Sequence, residues 1–321
     1  MPDAIPFRTA MNFTYGEPRA LHPQVRRLVA PNPSPFTFKG TNTYIVSAAP
    51  GGADPTDTDV TPTPLTSDDE VALIDPGPQD DAHFDATMAA LGSARLTHIF
   101  ITHTHRDHTD GMARLAQATG AETCGMGRKD LVTPGAEEGP SGGEFVEAAW
   151  RPDHRLDDGE RVAGKGWALS ALHTPGHAPD HLCFALEGTK VLFSGDHVMS
   201  WNTSVVAPPE GHMGDYLQAL ERLLQRDDEV FFPGHGGQLT TPQRVVKAFI
   251  VHRHWRESAI HGAIKKGRHT VDAIVEQVYA GIDPKLKRAA GLSVLAHVHH
   301  LMERGLVNCD GDASVDGVYR A

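Results

Sequence analysis

The sequence has little that could cross-link it, anchor it or repeat it. Its three cysteines, Cys124, Cys183 and Cys309, are an odd number, far apart and without CxxC spacing. That excludes a disulfide framework and a thiolate zinc site, and it fits a reducing compartment. No long apolar run occurs, so no membrane span or membrane partner is expected. The opening MPDAIPFRTAMNFTYG carries acid and proline where a secretory signal needs a basic end and an apolar core, so a soluble, cytoplasmic chain is expected. Positive charge is also short, with 29 Lys+Arg against 41 Asp+Glu and a net charge of −12. The shortage is uneven: residues 243–321 hold 12 Lys+Arg against 8 Asp+Glu, leaving 17 against 33 for the rest. A modest excess without a dense Lys/Arg run reads first as a solvated face, and only weakly as a nucleic-acid footprint.

Strands are expected at residues 43–47 (TYIVS), 70–75 (EVALID), 96–102, 167–173, 181–186, 190–194 and 229–232, after an irregular start. Helices are expected at about 79–91, 109–119 and 215–226. The stretch between Ala48 and Asp69 is rich in Pro, Gly, Thr and Asp and reads as a long, mobile hairpin loop. Strand pairs interleaved with helices imply two sheets packed face to face with helices outside. From Pro242 the pattern changes to a helix reaching about Lys266, a second from the N-cap candidate Thr270, a third through Leu292 to Arg304, and strand-like runs flanking Asp310-Gly311-Asp312. Three helices and a terminal hairpin outline a winged helix. The expected division is a catalytic domain over 1–241, then a linker helix and winged-helix-like domain over 242–321.

Chemistry is concentrated in ITHTHRDHTDG, Ile101 to Gly111, directly after an apolar run. His103 and His105, two apart just past an extended segment, can project to one side and chelate one metal ion. A tight turn then brings Asp107 and His108 to the same edge. Imidazole with carboxylate suits zinc, with iron or manganese as alternatives. His177 in HTPGH, Asp196 in LFSGD and His235 in FFPGHG also follow apolar or β-rich runs beside a glycine, where a loop can turn a ligand toward a shared edge.

With these residues in this order over roughly Thr43 to Gly236, the sequence resembles the metallo-β-lactamase superfamily, whose ordered signature is H-x-H-x-D-H, then His, Asp and His. The resemblance implies a four-layer αββα sandwich, followed here by the small winged-helix domain. It also implies a dinuclear site in which His103, His105 and His177 would hold one ion. Asp107, His108 and His235 would hold the other, and the Asp196 carboxylate would bridge. Two zinc ions so close would bring the pKa of a shared water to about 7, giving a hydroxide nucleophile. Asp75 in LIDPG matches the first acidic motif of the family and would orient a histidine ligand. Asp107, Asp196 and Asp75 are thus the catalytic candidates. Asn42 in GTNTY and Thr203 in SWNTS are candidates to line the substrate pocket. His98, His173, His181 and His197 flank the motif outside its ligand positions and read as packed or hydrogen-bonded histidines. His297, His299 and His300 form a histidine cluster on a helix with no carboxylate beside it in the sequence, and are not expected to bind metal.

Within the superfamily, Asp196 speaks against an antibiotic-cleaving lactamase, His105 against a flavodiiron protein, and the short span from Asp196 to His235 against the nucleases with a large insert there. Glyoxalase II shares the seven ligands but ends in another kind of helical domain. NPSPFTFKGTNTYIV, HTHRDHTDG, HTPGH, FFPGHG and the terminal outline most resemble the β-lactamase-like branch ending in a winged helix, which includes a mitochondrial endoribonuclease of single-stranded RNA. The acidic body favours a small ester, thioester or lactone as substrate, because it would repel a polyanion. Single-stranded RNA is the alternative, a DNA-binding metal sensor the third reading, and a homodimer is compatible with each.

Overall fold

The structure, a computed structural model, describes residues 5–48, 62–127 and 150–321. Residues 49–61 of the expected hairpin loop lie outside the described residues.

The chain begins with β1 (Arg19–His22), β2 (Val25–Val29), β3 (Asn42–Val46) and β4 (Glu70–Ile74), then α1 (Asp81–Leu91), β5 (Arg95–Phe100), α2 (Arg106–Thr109), α3 (Met112–Thr119), β6 (Glu122–Gly125) and β7 (His154–Arg155). These seven strands form one sheet in sequence order. After them come β8 (Arg161–Gly164), β9 (Trp167–His173), β10 (Leu182–Leu186), β11 (Val191–Gly195), α4 (Met213–Leu224) and β12 (Val230–Pro233). The second sheet has the order β12-β11-β10-β9-β8. The chain closes with α5 (Pro242–Lys265), α6 (Val271–Val278), α7 (Lys287–Glu303) and the hairpin of β13 (Asn308–Asp310) and β14 (Val318–Arg320).

Strand alternation builds the layers. In β4, Ala72 and Ile74 face the other sheet, joining Phe100, Phe184, Phe193 and Phe232 in the central core. Val71 and Leu73 point the other way, onto Leu91 of α1 and Met112 and Leu115 of α3. Both faces are covered, so the strand reads as an unbroken apolar run. Outside the second sheet, Tyr216, Leu217, Leu220 and Leu223 give α4 an apolar stripe at helical spacing against Cys183, Leu192 and Phe231. Burying one such leucine contributes roughly 1.5–3 kcal/mol. The result is the expected αββα sandwich.

Helix α5 belongs to two cores. Its first half, through Val245, Val246 and Phe249, packs outside the second sheet. Its last turns, Ile260, Ala263 and Ile264, pack with Ile274, Val294, Leu301 and Tyr319 in the winged-helix core. The Thr270 Oγ1 accepts from Ala273 N at 3.3 Å, capping α6 as its sequence position implies.

Two expectations need correction. The stretch before β3 is not irregular throughout: β1 and β2 precede it, and β2 is buried along its whole length although its sequence is VRRLV. Arg26 donates to Ser47 Oγ and Arg27 to Asn12 O, both at 2.7 Å, so two charged residues sit in a buried strand and hide its apolar pattern. The helix expected over 109–119 is two helices, α2 and α3, broken at Asp110-Gly111. A Cβ at Gly111 would lie 3.1–3.2 Å from the carbonyls of Pro76, Gly77 and Pro78, so the break lets the ligand turn close against the loop that follows Asp75.

Candidate metal centre

The topology brings the motifs to one edge. Strands β4 and β5 are parallel, as are β11 and β12, and β9 runs with β11 because each pairs antiparallel with β10. Asp75 follows β4, His103 and His105 follow β5, His177 follows β9, Asp196 follows β11 and His235 follows β12. Every one of these side chains therefore leaves the carboxyl end of a strand.

Two groups of ligand atoms converge there. His105 Nδ1 lies 2.9 Å from His103 Nε2 and 3.0 Å from His177 Nε2. Asp107 Oδ2 lies 3.4 Å from His108 Nε2 and 3.2 Å from His235 Nε2. Asp196 reaches both groups: its carboxylate oxygens are 3.7 Å from His177 Nε2, 3.6 Å from His108 Nε2 and 3.3 Å from His235 Nε2. Gly234 makes room for this, since a Cβ there would sit 2.4 Å from Asp196 Oδ1 and 2.8 Å from His108 Cε1.

The far nitrogen of each imidazole faces an acceptor, which settles which nitrogen is free. His108 Nδ1 donates to Asp75 Oδ2 at 2.8 Å, and His177 Nδ1 to Val205 O at 2.6 Å. His235 Nδ1 donates to Gly40 O at 3.3 Å and His105 Nε2 to Glu210 Oε2 at 3.2 Å. Thr102 Oγ1 donates to Asp75 Oδ2 at 2.8 Å, so it accepts from His103 Nδ1 at 3.0 Å. Asp75, which also accepts from Thr102 N at 2.9 Å, therefore orients two imidazoles, His108 directly and His103 through the hydroxyl. It holds this position with φ at 54°, a left-handed conformation uncommon for a residue other than glycine. Thr41 Oγ1 donates to Asp107 Oδ2 at 3.1 Å, and Asp180 Oδ2 accepts from Thr104 N at 3.1 Å, fixing the loop between His103 and His105.

Lone pairs so turned toward one another repel unless a cation lies among them. His108 Nε2 and Asp196 Oδ1 are buried without any hydrogen-bond partner, the state expected of donors that serve a metal. Burial, then the neighbouring imidazoles, holds the His103 pKa well below its usual value, and the same causes bring His177 to about 4, so both are neutral ligands at physiological pH. At His108 and His235 burial also disfavours the proton, but the Asp107 and Asp196 carboxylates outweigh it and raise both pKa values. Five imidazoles and two carboxylates in this arrangement fit divalent cations. The two buried thiols are poor nucleophiles, because burial pushes Cys124 and Cys183 up to about 12.

The remaining candidates separate clearly. His181 Nε2 accepts from Asp196 N at 3.1 Å, so it positions Asp196 from behind rather than joining the converging group. His197 is buried against the Tyr216 ring at 4.6 Å, His98 packs beside Trp167 at 5.6 Å, and His173 Nε2 donates to Pro179 O at 2.9 Å. Asn42 is fully buried, and its Nδ2 donates to Pro233 O and Gly236 O at 2.8 and 2.9 Å, bracketing the His235 turn. Thr203 does line a cavity. The helical histidine cluster has a carboxylate after all, supplied across space by α5: Glu257 lies 2.6 Å from His300 Nδ1 and 3.9 Å from His297 Nδ1. Arg304 takes the other oxygen of Glu257, which makes this an ion-pair network, and His299 instead donates to Ala313 O at 3.1 Å. Glu210 carries no motif, and Thr41, although inside GTNTY, is not singled out by the sequence.

Comparison with known proteins agrees with this geometry. Residues 58–235 match the model of the metallo-beta-lactamase superfamily and residues 270–316 that of the beta-lactamase associated winged helix domain. The chain is 28% identical to a beta-lactamase-like protein 2 homolog of Caenorhabditis elegans, over 92% of this chain and 90% of that one. It is 27% identical to an atrochrysone carboxyl ACP thioesterase of Cryptosporiopsis sp. (strain 8999), over 77% of this chain and 64% of the relative. A second such thioesterase, from Paecilomyces divaricatus, is 31% identical over 67% of this chain and 56% of its own length, so the chain spans less than two thirds of either thioesterase. Among solved structures, a beta-lactamase domain protein from Burkholderia ambifaria superposes with a TM-score of 0.76 at 18% identity, covering 98% of this chain and 96% of that one. Among the described residues no helix is long and apolar enough to cross a membrane. Since the matched superfamily model spans more than half of the sequence and ends on His235, this chain belongs to the metallo-beta-lactamase superfamily.

Proposed function

We propose that this chain is a dinuclear zinc hydrolase of a small acyl compound, an ester, a lactone or, above all, a thioester. The observation that carries the reading is the position of Asp196, whose two oxygens reach into both groups of imidazole nitrogens. His103, His105 and His177 would hold one ion and Asp107, His108 and His235 the other. When bound, two such ions supply a nucleophile from water near neutral pH and polarise the bond attacked.

The chain's own residues do the positioning. Asp75 and Glu210 hold three imidazoles in the tautomer that aims a lone pair inward. Asp107 keeps its carboxylate turned to the centre through Thr41. A thiolate, whose conjugate thiol has a pKa of roughly 8.5, departs with little protonation, so a site built from ligands and their supports suits a thioester. The thioesterase relatives support the same bond, and the acidic body disfavours a polyanion.

The test is a panel run on zinc-reconstituted protein, with acyl thioesters, esters and lactones beside labelled single-stranded RNA. Turnover of thioesters with RNA left intact is the expected result. Cleavage of RNA with every acyl compound untouched would replace this reading with the ribonuclease one.

A further inference from the structure

Between the catalytic sandwich and the winged helix lies a cavity of about 510 Å³, within the size range of small-molecule sites. Its walls are largely apolar, including Phe7, Met199, Val205, Val206, Ile282 and Leu286. One wall is shared with the metal centre. Val205, whose side lines the cavity, gives its carbonyl to the His177 ligand. Gly236, next to the His235 ligand, lies close enough that a Cβ would meet Trp201, another wall residue, at 2.8 Å.

Into this apolar space α5 sends cationic groups that the fold does not pair. Arg253 is only 4% exposed, yet among the described residues no carboxylate forms an ion pair with it. Its guanidinium donates to the Ser204 carbonyl, its guanidinium carbon stands 5.1 Å from the centre of the Tyr216 ring, and its Nε has no partner among the described residues. Arg256, one turn on, lies 4.0 Å over the Tyr279 ring, donates to Val278 O, and also has a buried Nε without a partner. His252 adds a third buried nitrogen of this kind. Among the described residues no Asp or Glu lines the cavity, and Glu257, which directly follows Arg256 on α5, is engaged by His300 and Arg304. A buried guanidinium without a counter-charge is costly, and a ligand anion would remove the cost.

We propose that this cavity binds the non-reacting part of the substrate, and that the substrate carries an apolar body ending in an oxyanion, carboxylate or phosphate, held by Arg253 and Arg256. This names the substrate class for the acyl-hydrolase reading and rests on it. A carboxylate would belong to the acyl chain, whereas a phosphate would belong to the carrier arm of the thioester. The shared wall at residues 199–206 is what couples occupancy of the cavity to the ligand histidines.

Calorimetric titration of the zinc-loaded full chain with decanoate, decyl phosphate and decanol separates these cases without any turnover. The expected result is that at least one anion binds tenfold or more tightly than decanol, the tighter anion identifying the source. Arg256→Gln and Arg253→Lys should each weaken that anion by roughly tenfold while zinc content and circular dichroism stay those of the parent. Arg256→Gln keeps the test open if the more buried position does not tolerate change. Equal binding of anion and alcohol, or unchanged anion binding in both folded, zinc-replete variants, overturns the proposal. Anion binding that depends on the arginines in a protein that turns over no acyl substrate would leave the cavity assigned and sink the acyl-hydrolase reading instead.

Discussion

The metal edge and the interdomain cavity are built in opposite ways from adjoining chain. At the edge, candidate ligands are aimed at one another by acceptors behind them, and all seven lie within a recognisable motif in sequence. In the cavity, the two arginines meet carbonyls and aromatic rings but no carboxylate among the described residues, and its walls come from the N-terminal segment, the loop after Asp196, α5 and the winged helix. The difference teaches that a site defined by what it coordinates leaves a spacing signature, while a site defined by shape and an unpaired charge leaves none.

The sharpest break of this comparison is Asp196→Ala, which removes a carboxylate that reaches both groups of nitrogens. Hydrolysis should fall by several orders of magnitude, roughly a thousandfold or more, and bound zinc should drop below two per chain, with anion binding in the cavity retained. Activity assay, elemental analysis and the decanoate titration check the three parts. Retained zinc with retained activity would mean that the bridge lies elsewhere.

A smaller effect sharpens the same side. Asp75→Asn keeps the size of the side chain but weakens its acceptance from His108 Nδ1 and Thr102. Metal affinity or activity should fall by roughly 10–100-fold, the usual range for a residue that orients a ligand. A readout that a purely structural role would not move is zinc affinity by chelator competition at unchanged melting temperature. If stability falls and zinc affinity does not, Asp75 serves the β4 turn alone.

Much of the edge was legible because its chemistry is contiguous. H-x-H-x-D-H needs one turn after one strand, and LIDPG marks its support by the same logic of a polar residue at a strand end. Glu210 and Thr41 escaped because each is a single polar residue on a separate loop, reaching its partner only once the sheets have packed. Strand β2 escaped because Arg26 and Arg27 satisfy their charges with partners that the sequence does not place nearby. Glu257 was missed as companion to His300 for the same reason, since the pair exists only when α5 and α7 cross. Arg253 reads in sequence as one more cation on a helix, and only its burial gives it meaning. Asn42 likewise reveals its bonds to the backbone of the His235 turn only in the folded chain.

The smallest expected effect lies on the cavity side, at Thr270. Its hydroxyl caps α6, whose far end runs into Tyr279, the ring beneath Arg256 on the cavity wall. Thr270→Ala should cost about 1 kcal/mol, the ordinary value of an N-cap, because one backbone N–H at the helix start loses its acceptor. The winged-helix core around Ile274, Val275 and Val294 is independent of that bond, so the domain should stay folded. Zinc content should not change, since no metal ligand lies on α6 or beside it. If the cavity wall depends on the seating of α6, decanoate should bind a few-fold more weakly while the zinc-dependent rate at saturating substrate stays that of the parent. Denaturant melts, the titration and a split of KM from kcat measure these separately. A variant that loses kcat along with anion affinity would tie the winged helix to the metal edge itself, and the two regions could then no longer be treated as separable parts of one site.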